Sequence, residues 1–123
     1  MNTDKRIEDP EAVANEYGLS IDTRHDETFF NLVSAKWEEL GGDTYFNIPF
    51  IAALMLRDAD SMAVPSSGFD AMTDEEFKHS FLATLAEVSC RRLVFDDEKR
   101  VTEMTATLAP FVTEARKRAD GQG

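Results

Sequence analysis

The sequence predicts an all-α fold, a single compact bundle of four to five helices around a central, nearly all-apolar helix. Apolar residues recur at helical spacing through most of the chain, helix start signals precede them, and short turn segments separate them. Apolar residues make up 42% of the 123 residues, enough for one ordinary core. We therefore expect one helical domain over 1–123, with residues 1–8 and 119–123 frayed.

The first two helices are predicted from their ends. Asp9-Pro10-Glu11 places a capping acid before Pro at the first helical position, and Gly18 is a suitable left-handed stop. A second start follows at Asp26-Glu27, and Gly41-Gly42 ends that helix. One face of the second helix is apolar at helical spacing: Phe29, Phe30, Val33, Trp37 and Leu40.

The third segment is apolar on every side. Asn47 is its expected cap, Pro49 lies in its first turn, and Phe50–Leu56 carries no polar residue. A buried strand competes for so short an apolar run, but Ala52-Ala53 and the unbranched side chains after them favour a helix. A helix without a polar face belongs in the middle of a bundle or against a partner. Arg57–Met62 is expected to form its exposed last turn.

A loop and a capping box introduce the longest helix. The loop is 63–68, which is made of turn-forming residues. Thr73 and Glu76 have the spacing of a capping box and predict the start of the fourth helix. Its apolar seam is expected to contain Phe77, Phe81, Leu85 and Val88, with Leu82 and Leu93 beside it.

The last helix is expected to begin at Asp96-Asp97-Glu98. Pro110 lies within it and should kink it or split it in two. Arg116-Lys117-Arg118 suits its C-terminal end, where cations interact favourably with the helix dipole. Its seam is expected to contain Val101, Met104, Leu108, Val112 and Ala115.

The charge of the chain narrows the choice of partners. There are 24 acidic and 13 basic residues, a formal net charge of −11, and most of the excess falls in residues 1–65. Such a surface repels nucleic acid and anionic membranes and attracts basic proteins. The basic pairs Arg91-Arg92 and Lys99-Arg100 are expected to pair with neighbouring carboxylates rather than with phosphates. With one cysteine, no apolar leader and no membrane-length apolar run, the chain is expected to be cytoplasmic.

Three patterns of reactive residues are candidate chemical sites. Glu76-x-x-His79 has the spacing of iron ligands in helical bundles, but His25 is the only other histidine. Asp58-x-Asp60 resembles the start of a calcium loop whose later positions do not match. Cys90 lies too far along the same helix from His79 for proton transfer and is expected in the core. We therefore predict no cofactor, no metal site and no catalytic residue.

The preferred hypothesis is a non-enzymatic, acidic protein-binding module. It would be an inhibitor or nucleic-acid mimic that engages a basic surface of a nucleic-acid-handling or toxin protein. One alternative is a helical adaptor or oligomerisation module, such as a homodimer, that acts through apolar contacts; the second is a small metal-binding or thiol enzyme. The residues predicted to bind the partner are Glu11, Glu16, Asp22, Asp26, Glu27, Glu38, Glu39, Asp43, Tyr45 and Phe46.

Overall fold

A computed structural model of the chain describes residues 9–22, 26–41, 48–95 and 97–122. These residues form helices and no strand, which confirms the predicted all-α class. The fraying expected of residues 1–8 lies outside the described residues, and fraying at 119–123 stays a prediction. The helices are α1 (Pro10–Glu16), α2 (Thr28–Leu40), α3 (Ile48–Met62), α4 (Asp74–Val94) and α5 (Glu98–Gln122).

The ends of α1 and α2 follow the signals in the sequence. Asp9 caps α1 by accepting a hydrogen bond from a backbone N–H of the first turn, and Gly18 follows that helix at φ +76°. Asp26 accepts a hydrogen bond from the backbone N–H of Thr28 at 2.9 Å. Gly41 ends α2 at φ +79°, a conformation that glycine adopts without steric cost.

Helix α3 is central, as predicted, because it packs against α1, α4 and α5. Apart from the exposed Met62 at its end, its apolar side chains divide into a buried set and a half-buried set. The buried residues are Ile48, Ala52, Ala53, Met55, Leu56 and Ala59. The half-buried ones are Pro49, Phe50, Ile51 and Leu54. The predicted cap, Asn47, lies outside the described residues.

The last turn of α3 corrects one expectation. Arg57–Met62 was expected to be exposed, but Ala59 is only 1% exposed and packs in the core. Asp60 is half-buried and binds side chains next to α1 and on α5. The prediction was wrong at Asp60 because a charged residue on a helix is normally assigned to solvent, whereas this carboxylate has partners that are distant in sequence. It was wrong at Ala59 because this alanine continues the buried face of Met55 and Leu56 at helical spacing.

Helix α4 begins with the predicted capping box. The Thr73 hydroxyl accepts a hydrogen bond from the backbone N–H of Glu76, and the Glu76 carboxylate accepts one from the backbone N–H of Thr73. The whole predicted seam of α4 is buried. This helix contacts α2, α3 and α5, so it forms the second central element of the bundle.

Helix α5 is not split at Pro110. It is one helix over Glu98–Gln122, and Leu108, Ala109 and Val112 around the proline are fully buried. Pro110 has no N–H to offer the carbonyl of Ala106, four residues earlier. Ala106 is exposed, so water can satisfy that carbonyl and the helix continues through the proline.

Candidate functional site

Four helix ends meet at one end of the bundle. Arg118, near the end of α5, donates a hydrogen bond to Asp74 at the start of α4, with 2.6 Å between the atoms. Arg116, also near the end of α5, binds Asp60 in the last turn of α3. Tyr17, directly after α1, donates a hydrogen bond to the same Asp60 at 3.0 Å. The C-terminal ends of α1, α3 and α5 therefore lie beside the N-terminal end of α4.

The start of α2 lies at the same end. The pKa of Asp26 is lowered by hydrogen bonding from Thr28 and, more weakly, by the nearby ammonium group of Lys78 on α4. Further along both helices, the Cys90 thiol of α4 is 3.8 Å from the backbone carbonyl of Val33 on α2. The two helices therefore run in the same direction, and both begin at the end where α1, α3 and α5 finish.

Tyr17, Asp60 and Arg116 form a cluster that joins the end of α1 to α3 and α5. One carboxylate oxygen of Asp60 accepts from the Tyr17 hydroxyl, and the other accepts from the Arg116 Nε at 3.0 Å. The Arg116 guanidinium also lies over the Tyr17 ring, 5.1 Å from its centroid. The pKa of Asp60 is lowered, chiefly by its hydrogen bond from Arg116.

We expect Tyr17 to make the stability of the fold depend on alkaline pH. Burial, and then the hydrogen bond to Asp60, raise the pKa of Tyr17 from 10.0 to about 12. A raised folded pKa stabilises the fold fully below pH 10, and this contribution is lost as the pH rises from 10 to about 12. Urea unfolding at several pH values measures how steeply the free energy of unfolding falls over this range. Tyr17→Phe should flatten this dependence, and an unchanged slope in that variant would refute the assignment.

Glu114 and Arg118 form a second cluster at this end. Glu114 is 4% exposed, and its carboxylate accepts hydrogen bonds from the Arg118 Nε at 2.8 Å and the Ser66 hydroxyl at 3.0 Å. Arg118 also binds Asp74 and two backbone carbonyls of the α3–α4 connection. Burial alone would raise the pKa of Glu114, but the hydrogen bonds from Arg118 and Ser66 lower it overall.

These two clusters leave the surface at this end acidic. Arg116 and Arg118 pair with carboxylates of this end, of which only Glu114 is buried, and Lys117 lies 3.9 Å from Glu114. The described carboxylates on or beside these helix ends are Glu16, Asp22, Asp26, Glu27, Asp58, Asp60, Asp70, Asp74, Glu75, Glu76, Glu114 and Asp120. The described cations there are Arg57, Lys78, Arg116, Lys117 and Arg118. We call this surface the acidic end.

The structure brings together some of the predicted partner-binding residues and separates others. Those at the acidic end are Glu16, Asp22, Asp26 and Glu27. Glu38 and Glu39 lie at the opposite end of α2, roughly 16 Å away along its axis, where Glu39 pairs with Lys36. Glu11 lies in the first turn of α1. Asp43, Tyr45 and Phe46 lie outside the described residues.

Cys90 occupies the core position expected from the sequence. It is fully buried, and burial raises the pKa of its thiol to about 11, so it stays protonated at neutral pH. His79 is exposed on α4, whereas His25 lies outside the described residues. In the described ranges, no group of three or more His, Cys, Asp or Glu side chains is placed to hold a metal ion.

The residues that build the acidic end were only partly indicated by the sequence. Arg116 and Arg118 were assigned to the dipole of α5, and Glu114 to no role. The i, i+4 spacing of Glu114 and Arg118 is the one local signal of their pairing. Tyr17 and Asp60 are 43 residues apart, so no spacing rule indicates their hydrogen bond.

Among the described helices, none combines the length and the apolar character needed to cross a membrane. Comparison with protein-family models, with curated proteins and with solved structures finds no match to this chain.

Proposed function

We propose that this protein is a non-enzymatic binding module whose acidic end engages a basic surface of a protein partner. In its strongest form it mimics nucleic acid and inhibits a nucleic-acid-handling or toxin protein, with its carboxylates in the place of phosphates. The observation that carries the proposal is the meeting of the helix ends. It gathers carboxylates on or beside the ends of all five helices, while Arg116 and Arg118 are paired with Asp60, Asp74 and Glu114.

The electrostatics of this arrangement favour a basic partner. Exposed carboxylates on one surface create a negative potential that speeds the approach of a cationic protein and weakens as salt is added. Glu27 is exposed and Asp26 is half-buried, and α4 adds an acidic first turn at the same end of the bundle. A positive protein surface therefore meets several charges at once, which one isolated carboxylate does not provide.

The test begins with a partner captured at low salt from the native host's lysate, eluted in salt steps and identified. We expect a basic protein whose affinity falls about tenfold or more between roughly 50 and 500 mM NaCl. Asp26→Asn with Glu27→Gln should weaken binding, since these changes remove two charges from the acidic end. Asparagine keeps the hydrogen-bond acceptor at the start of α2, so the fold should be unaffected.

A matched control comes from the same helix. Glu38→Gln with Glu39→Gln removes the same charge from the far end of α2, where both residues are exposed. Equal losses of affinity in the two double variants would show that only net charge matters. An affinity that does not change with salt would contradict the electrostatic mechanism itself.

The adaptor hypothesis has weaker support. The most exposed large apolar residues among those described are Phe30, Met62 and Val94, and they lie on three different helices. Single exposed apolar residues are ordinary on folded proteins. Light scattering at high concentration tests this alternative, since an apolar oligomerisation module should show a mass above that of the monomer.

A further inference from the structure

A groove of about 310 Å³ opens at the acidic end. It lies between the turn after α1, the first half of α4 and the last turns of α5. Its walls are mostly apolar and include Leu19, Phe77, Phe81, Ala115 and Ala119. This volume is at the lower limit of ligand pockets and suits the insertion of a side chain rather than of a whole ligand.

The sequence keeps this groove open by placing small residues around it. Gly18 has no side chain, and a Cβ at this position would meet no atom within 4 Å, so the space beside it is open. Gly18 also has φ +76°, which disfavours any larger residue at this turn. Ala115 and Ala119 lie one turn apart on α5 and leave the groove uncovered on their side.

The rim of the groove is charged. Arg118 lies over the Phe77 ring, 4.7 Å from its centroid, and its charge is offset by Asp74 and Glu114. Lys78 is the other cation of the rim, and Asp74 is the one carboxylate among the described lining residues. Carboxylates outnumber cations over the described residues of this end, so an apolar groove is set within an acidic surface.

We propose that this groove receives one large apolar side chain from a basic segment of the protein partner. The occupant is an amphipathic helix with an apolar residue flanked by Lys or Arg. Burial of the apolar side chain in the groove supplies the desolvated anchor, and the flanking cations meet the surrounding carboxylates. The inference rests on the proposed function and adds to it the chemistry of the partner.

Two synthetic peptides test the proposal on the full-length protein. The first is a helical peptide of Lys and Ala with a single central Phe, and the second has Ala in place of that Phe. By isothermal titration at low salt we expect the Phe peptide to bind about tenfold tighter, as burial of an aromatic side chain implies. Added salt should lower the affinity of each peptide more than it lowers the ratio between the two affinities.

A pair of variants on α5 locates the anchor. Ala119→Phe fills the groove and should abolish the preference for the Phe peptide. Ala106→Phe adds the same side chain at another exposed alanine of α5, outside the groove, and should leave the preference intact. Circular dichroism establishes that both variants keep the helical fold.

Three results would overturn the inference. Equal affinity for the two peptides would exclude the groove as an anchor, while salt-sensitive binding of both would leave the proposed function standing. If neither peptide binds while a salt-sensitive basic partner is still captured from lysate, the groove is likewise excluded as an anchor and the proposed function still stands. A wild-type dimer that Ala119→Phe converts to a monomer would assign the groove to a second copy of this chain.

Discussion

Replacing Glu114 by alanine is expected to lower the free energy of unfolding by about 3 kcal/mol. The Glu114 side chain is 5% exposed and accepts hydrogen bonds from both Arg118 and Ser66. Its removal leaves the Ser66 hydroxyl and one edge of the Arg118 guanidinium without this acceptor in a nearly closed site. The loss should lie at the low end of the range for buried pairs because Asp74 still binds Arg118. Urea unfolding followed by circular dichroism measures it.

A pair with the same spacing on α4 provides the control. Glu87 and Arg91 are also four residues apart, at 3.0 Å, but their side chains are 42% and 36% exposed. Exposed pairs of this kind contribute a few tenths of a kcal/mol, so Glu87→Ala should cost about 0.5 kcal/mol or less. Equal losses in Glu114→Ala and Glu87→Ala would show that burial does not set the strength of the inner pair.

Acid should weaken the same interaction. The pKa of Glu114 is lowered from 4.5, because the hydrogen bonds from Arg118 and Ser66 outweigh the effect of burial. A lowered folded pKa stabilises the protein fully above pH 4.5, and this contribution is lost as the pH falls below that value. The Glu114→Gln variant should therefore lose less stability than the wild type over this acidic range, when both are unfolded in urea at each pH.

The helices were predictable because their ends carry local chemistry. The start of α4 depends on Thr73 and Glu76, which are only three residues apart in their capping box. The end of α2 depends on the single left-handed Gly41. Ala63 shows the limit of such reading. It follows α3 at φ +52°, a conformation that a glycine would have indicated and an alanine does not.

The acidic end was not predictable to the same degree. Most of the acidic excess lies in the first half of the sequence. In the fold, the position of a carboxylate depends instead on which end of its helix it occupies. Asp70 and Glu75, from the second half, lie at the same end as Glu16 and Asp26 because α4 begins where α1 and α3 finish. Helix direction is a property of tertiary packing, and no local pattern in a single sequence encodes it.

A cluster of four phenylalanines lies beneath the acidic end. Phe77 and Phe81 come from α4, Phe111 from α5, and Phe69 from the connection before α4. The Phe81 ring centroid is 5.7 Å from that of Phe77 and 5.8 Å from that of Phe111, while Phe69 meets Phe77 edge to face at 5.3 Å. Such pairs stabilise a core beyond the area they bury. The cluster supports both the α4–α5 contact and the floor of the groove.

Phe81→Ala is therefore expected to cost about 4 kcal/mol, a large share of the stability of an ordinary domain. Phe81 is fully buried, so its loss removes two ring contacts and leaves a cavity that neighbouring residues fill only in part. Phe30 on α2 is 40% exposed, and Phe30→Ala should cost about 1 kcal/mol in the same urea titration. If Phe81→Ala does not fold, Phe81→Leu gives a smaller, measurable loss. A loss for Phe81→Leu no larger than that for Phe30→Ala would contradict the central role of this ring cluster.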